Sequence, residues 1–151
     1  ISRTHKDLVK RLFELEIPEI YDGTVEVKSI SREAGSRTKI AVFSKDPNVD
    51  AVGACIGPKR SRISKIVDEL GGEKIDIITY SENQEEFIAK SLAPSEVVKV
   101  TLAEDGSRAC TVIVPNNQLS LAIGNKGQNA KLAARLTGFK IDIKPENEVI
   151  A

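Results

Sequence analysis

The chain has 151 residues, of which 40% are hydrophobic and 29% charged, with 22 Lys plus Arg against 22 Asp plus Glu. That is a globular composition, and no apolar run approaches the roughly 18 residues of a membrane helix. Zero formal net charge excludes a generic polycation that coats nucleic acid, yet leaves room for a local basic groove.

The first residues, Ile1 to Lys6, do not read as a signal peptide, and the lack of an initial Met suggests a fragment of something longer. Thr4 to Leu15 reads as a helix with Leu8, Leu12 and Leu15 on one face and Val9 and Phe13 beside it. Val25 and Val27 alternate with Glu26 and Lys28, a strand pattern, and Ile40 and Val42 begin the next strand. Asp50 to Ile56 reads as a short helix burying Val52, Cys55 and Ile56. Ser61 to Leu70 is a second helix, with Ile63, Ile66, Val67 and Leu70 at i, i+3, i+4 and i+7, stopped by Gly71-Gly72. Ile75 to Tyr80 is a strand.

Ser81-x-x-Gln84 reads as a capping box for a helix that buries Phe87, Ile88 and Leu92 and ends at Pro94. Val98, Val100 and Leu102 form a strand, Glu104-Asp105-Gly106 a hairpin turn, and Cys110, Val112 and Val114 the returning strand. Leu119, Ala122 and Ile123 share one helical face, Leu132 and Leu136 anchor the next helix, and Ile141 with Ile143 close the sheet. Cys55 and Cys110 lie among apolar neighbours and outside any Cys-x-x-Cys pair, so both are expected to be buried small hydrophobes. With His5 the only histidine, a zinc site lacks candidate ligands; no metal and no cofactor are expected.

The organising signal is an internal repeat. Val52 to Arg60 aligns with Leu119 to Gly127, so that Gly57 meets Gly124 at an offset of 67 residues (124 − 57). Lys74-Ile-Asp-Ile77 returns unchanged as Lys140-Ile-Asp-Ile143, at an offset of 66 (140 − 74). Each copy runs helix, strand, strand, helix, helix, strand. The expectation is an α+β chain of two small domains, 1–80 and 81–151, each with a three-stranded sheet. The connection near Ser81 to Asn83 is too short for free tumbling.

The chemistry sits at the helix–helix junctions. Gly124-Asn-Lys-Gly127 is weak evidence alone but stronger inside a repeat. The first amides of the following helix are expected to lack intrahelical partners and to point outward, where the helix dipole adds positive charge. Glycine lets a sugar-phosphate backbone approach closely, and Lys126 puts a charge at the tip. Lys59, Arg60, Arg62 and Lys65 gather at the first junction, and Lys126, Lys131 and Arg135 at the second.

This arrangement resembles the KH domain, whose Gly-x-x-Gly loop clamps about four nucleotides of backbone, and its element order is similar to the prokaryotic, type II form. Longer stretches resemble the NusA family of bacterial transcription factors: Glu19 to Val27, Arg32 to Arg37, Asp46 to Asp50, Val52 to Gly57, Gln118 to Gly124 and Gly127 to Gly138. The resemblance implies tandem type II KH domains binding single-stranded RNA, nascent transcript or leader, without catalysis. It also implies a cytoplasmic, monomeric protein working in elongation, pausing, termination and antitermination, reaching RNA polymerase through domains outside this chain, and away from membranes. The candidate RNA-binding residues are Ile56, Gly57, Pro58, Lys59, Arg60, Arg62 and Lys65 in the first copy. In the second they are Ile123, Gly124, Asn125, Lys126, Gly127, Gln128, Asn129 and Lys131. Arg60 departs from the family, which usually ends this loop in glycine; its side chain either obstructs a phosphate or contacts it.

Two other classes compete. A helix-turn-helix reading duplex DNA would use the same paired helices, but Ala130 to Ala134 offers few base-reading side chains. A protein-interaction scaffold would leave the loops as simple turns. An enzyme has no support from a His-paired nucleophile or an NTPase-type lysine loop.

Overall fold

The computed structural model describes residues 6–147. Thr4, the expected start of the first helix, and His5 lie outside them. The chain divides into two compact units, the break falling between Tyr80 and Ser81.

In the first unit, α1 (Lys6–Glu16) leads to a one-turn α2 (Pro18–Tyr21). The Leu8–Leu12–Leu15 face was the expected core stripe, but the stripe that packs lies about 100° round the helix. Val9, Phe13 and Ile17 are fully buried, whereas Leu15 is 70% exposed. Pro18 sits at the first position of α2, where its fixed φ and missing amide cost nothing. Four residues show no periodicity, so this helix is silent in the sequence.

Strands β1 (Val25–Glu33) and β2 (Arg37–Ser44) pair antiparallel, and β3 (Lys74–Thr79) lies parallel to β2, giving the order β1-β2-β3. A parallel return needs a crossover, which α3 (Ala51–Ile56) and α4 (Ser61–Glu69) supply. Ile63 and Ile66 of α4 and Cys55 of α3 pack on Ile40 and Val42 of the central strand.

The central strand is buried on both faces, so its charges need partners. The Lys39 ammonium bonds Asp76 at 2.9 Å, and Arg37 grips the same carboxylate at 2.8 and 3.0 Å. Fully buried Glu73 accepts from Arg32 at 3.0 and 3.1 Å, from the Gly35 amide at 2.9 Å, and from the Thr38 hydroxyl. Burial alone would lift the Glu73 carboxyl, but these bonds outweigh it and hold it below the ordinary range.

The second unit repeats the plan with α5 (Gln84–Ser91), β4 (Lys99–Leu102), β5 (Ala109–Val114), α6 (Leu119–Ile123), α7 (Gln128–Thr137) and β6 (Lys140–Pro145). Its sheet order is β4-β5-β6, antiparallel then parallel. Ile88, Leu92, Val112, Ala122, Ala133 and Phe139 form the core. The expected capping box shifts by two residues. Asn83, not Ser81, caps α5 through the Glu86 amide at 3.0 Å, while the Ser81 hydroxyl donates to the Glu86 carboxylate at 3.0 Å. The hairpin turn stands where expected, with the Ser107 amide bonded to Asp105 at 2.9 Å.

Both cysteines are buried free thiols, and burial pushes Cys55 up to about 12. Among the described residues no helix is long and apolar enough to cross a membrane, and no cluster of three His, Cys, Asp or Glu could hold a metal.

Candidate nucleic-acid interface

Each unit carries its Gly-x-x-Gly-type loop between its paired helices, α3–α4 and α6–α7, and the two loops share one backbone conformation. Gly57 has φ 75 and ψ 172, and Gly124 has φ 82 and ψ 170. Lys59 and Lys126 are both left-handed, at φ 52 and 56. The fourth position is left-handed too, at φ 61 for Arg60 and 76 for Gly127. A residue with a Cβ pays for this region, so the first loop carries two strained residues in succession and the second only one.

The first glycine of each loop is a packing necessity. A Cβ on Gly57 would come within 2.7 Å of Arg62 Cγ, and one on Gly124 within 2.6 Å of the Asn129 backbone nitrogen. Around Gly127 the space is open, with only Lys131 Cε at 3.8 Å. The fourth position therefore selects glycine for φ and for close approach from outside, not for internal fit.

The expected row of free amides is partly consumed. Arg60 N–H donates to Gly57 O and Gly127 N–H to Gly124 O, both at 3.1 Å. The first amides of α4 and α7 turn back onto Pro58 O and Asn125 O. The tight turn that exposes the lysine also folds these donors inward. Pro58 has no amide hydrogen at all, so the first loop has one donor fewer than the second, where Asn125 stands.

The candidate residues separate into two groups. Pro58, Lys59, Arg60, Asn125, Lys126 and Lys131 are exposed, and Gly57, Gly124, Gly127, Gln128 and Ile56 are half-buried. Among the described residues no ion pair holds Lys59, Arg60, Lys126 or Lys131. Ile123, a candidate contact residue on the face shared with Leu119 and Ala122, is 37% exposed, and Leu121 two residues earlier is 42% exposed. Ile123, immediately before Gly124, puts an exposed aliphatic side chain beside the second loop, which suits unstacked bases without aromatic platforms. Leu121 was missed because a five-residue helix shows too little periodicity to separate its faces.

Of the remaining candidates, Asn129 and Arg62 are tied into the fold. Asn129 is only 1% exposed, and its amide donates to Leu92 O at 3.0 Å and Ala122 O at 2.9 Å. Its side chain therefore ties α7 to α5 and α6 and is removed from the outer surface. Arg62 donates to Ala54 O and to Glu19, both at 2.8 Å. Lys65 approaches Glu16 at 3.6 Å. Arg62 and Lys65, expected among the open cations, face carboxylates on α2 and α1 respectively, and Lys65 stays largely exposed.

Comparison with known proteins gives the same division of the chain. Residues 3–80 match the NusA-like first KH domain, and residues 84–150 the NusA-like second KH domain. The transcription termination/antitermination protein NusA of Halalkalibacterium halodurans is 64% identical over 98% of this chain and 38% of its own length. That of Bacillus subtilis is 61% identical over 98% of this chain and 40% of its own, and that of Thermus thermophilus 48% over 93% and 36%. The chain thus spans about two fifths of the length of these curated relatives. The crystal structure of APE1850 aligns with a TM-score of 0.63 at 20% identity, covering 91% of this chain and 96% of that one, a likeness in fold alone. With two type II KH folds in succession, each matched by its own model, the chain belongs to the NusA family and comprises its tandem KH region.

Proposed function

We propose that the chain binds single-stranded RNA through both Gly-x-x-Gly-type loops, with residues 1–80 and 81–151 as the two RNA-binding domains. The observation that supports this most is the loop pair. Two junctions 67 residues apart (124 − 57) share one backbone conformation and lift an exposed lysine to the tip. An L-residue held at positive φ on an open surface is a cost that folding alone does not reward. Lysine at the tip supplies phosphate affinity, glycine supplies close approach, and the exposed aliphatic side chain of Ile123 beside the loop supplies contact for bases.

The wider role follows the relatives, which are named as transcription termination/antitermination proteins. On this reading the tandem domains tether a nascent transcript or leader during elongation, pausing, termination and antitermination, in the cytoplasm and without catalysis. RNA polymerase is contacted through parts of the longer relatives beyond the matched region.

Titration of labelled single-stranded RNA, duplex RNA and duplex DNA tests the reading, with single-stranded RNA expected to bind most tightly. Equal affinity for all three would refute it in favour of nonspecific charge. Lys126→Asp with Gly127→Asp is expected to weaken binding severely while circular dichroism stays native. With about three phosphates neutralised per loop, the salt slope should lie near −2 per domain, from about −0.7 per phosphate on single strands.

A further inference from the structure

We infer that Glu19, acting through Arg62, holds down the phosphate affinity of the first loop, so that the two RNA grooves of this chain are deliberately unequal. The inference rests on the reading that both loops bind RNA, and it assigns Glu19 as a positioning residue of the first.

Arg62 is the second residue of α4, and its stem lies across Gly57, close enough that a Cβ there would meet Arg62 Cγ at 2.7 Å. Its Nη1 donates at 2.8 Å both to Ala54 O near the end of α3 and to Glu19 of α2. The two side chains are 26% and 32% exposed, so the pair is partly shielded from solvent and outlasts an ordinary surface pair. An anion thus stands at the base of the loop that is meant to attract phosphate. Glu16 adds to it from α1, facing Lys65 at 3.6 Å.

The second loop solves the same mechanical problem without charge. Asn129 occupies the position of Arg62 after Gly124, and its amide reaches Ala122 O at the end of α6 at 2.9 Å. The latch onto the preceding helix is common to both units; the carboxylate is not. Among the described residues no acidic side chain pairs with Lys126 or Lys131. Pro58 also removes a donor that Asn125 keeps. The carboxylate at its base and the missing donor weaken the first loop as a phosphate clamp relative to the second, and they act against the extra cation that Arg60 gives the first where the second has Gly127.

Glu19→Gln in the full chain tests this, because glutamine keeps the shape and still accepts from Arg62. We expect single-stranded RNA to bind about fivefold more tightly at low salt, the effect of roughly one newly uncompensated cation, with the salt slope steeper by about 0.7. The gain should vanish when Lys59→Asp and Arg60→Asp are added, which places it at the first loop. Glu16→Gln, whose partner Lys65 is 72% exposed and contributes little to folding, should give a smaller gain, about twofold, by the same route. A native-like Glu19→Gln with unchanged or weaker binding overturns the inference, as does a gain that survives the loop substitutions. If Glu19→Gln does not fold, an inert Glu16→Gln overturns it instead. A native chain that binds no single-stranded RNA removes the underlying reading and the inference together; a native chain that binds, with both variants inert, removes the inference alone.

Discussion

Arg60→Gly should make the first unit more stable. Arg60 sits at φ 61 and ψ 23 immediately after Lys59 at φ 52, so two L-residues share the left-handed region. That region costs an L-residue about 1–2 kcal/mol, and glycine escapes the cost. Glycine also gains freedom in the unfolded chain, which takes back about 0.5–1 kcal/mol. The net is a stabilisation of about 0.5–1 kcal/mol. Among the described residues no hydrogen bond or ion pair holds the Arg60 side chain, so nothing else is lost, and its amide keeps its bond to Gly57 O at 3.1 Å. For a domain of this size the gain corresponds to a rise of roughly 3–6 °C in Tm. Urea and thermal melts of the native chain, Arg60→Gly and Arg60→Ala measure it. Alanine keeps the Cβ and should change stability little. Equal gains from alanine and glycine would show that the guanidinium, not the backbone, was unfavourable. No gain from glycine would refute the strain argument altogether.

Other consequences are equally direct. Glu73→Gln removes the buried carboxylate that Arg32 pairs with and should cost about 3 kcal/mol in urea denaturation. Because the folded Glu73 carboxyl is held low, its contribution is full above the ordinary glutamate value of about 4.3 and is lost as pH falls through the depressed value. Melts between pH 7 and 3 should therefore show acid sensitivity that Glu73→Gln diminishes; an unchanged profile would remove Glu73 as its source. Asn129→Ala strips the donor from two buried carbonyls, Leu92 O and Ala122 O, and should cost about 2 kcal/mol in the same assay. A neutral result would mean that water replaces the amide. Alkylation at pH 8 should leave Cys55 unmodified in the native protein, since burial pushes its thiol to about 12, and should modify both cysteines in denaturant. Rapid native labelling of Cys55 would contradict its packing.

Whatever local periodicity and repetition carry could be read along the chain. The change from 3.6-residue to 2-residue spacing marks the helices and strands, and the recurrence of Gly57 with Lys59 as Gly124 with Lys126 marks the loop pair. Which of those side chains remain available depends on packing between elements distant in the chain. Val9 and Phe13 rather than Leu15 enter the core because helix faces lie only about 100° apart, and the choice between them depends on what packs opposite. Arg62 and Lys65 look as open as Lys59 in the chain, but Glu19 lies 43 residues before Arg62, and only folding brings the two within 2.8 Å. Asn129 looks as polar as Asn125, yet one is sealed against carbonyls of two other helices and the other faces solvent. Spacing along a chain encodes the face a residue shares with its near neighbours; the charge or carbonyl that claims it from forty residues away is set by how the helices and sheet close on one another.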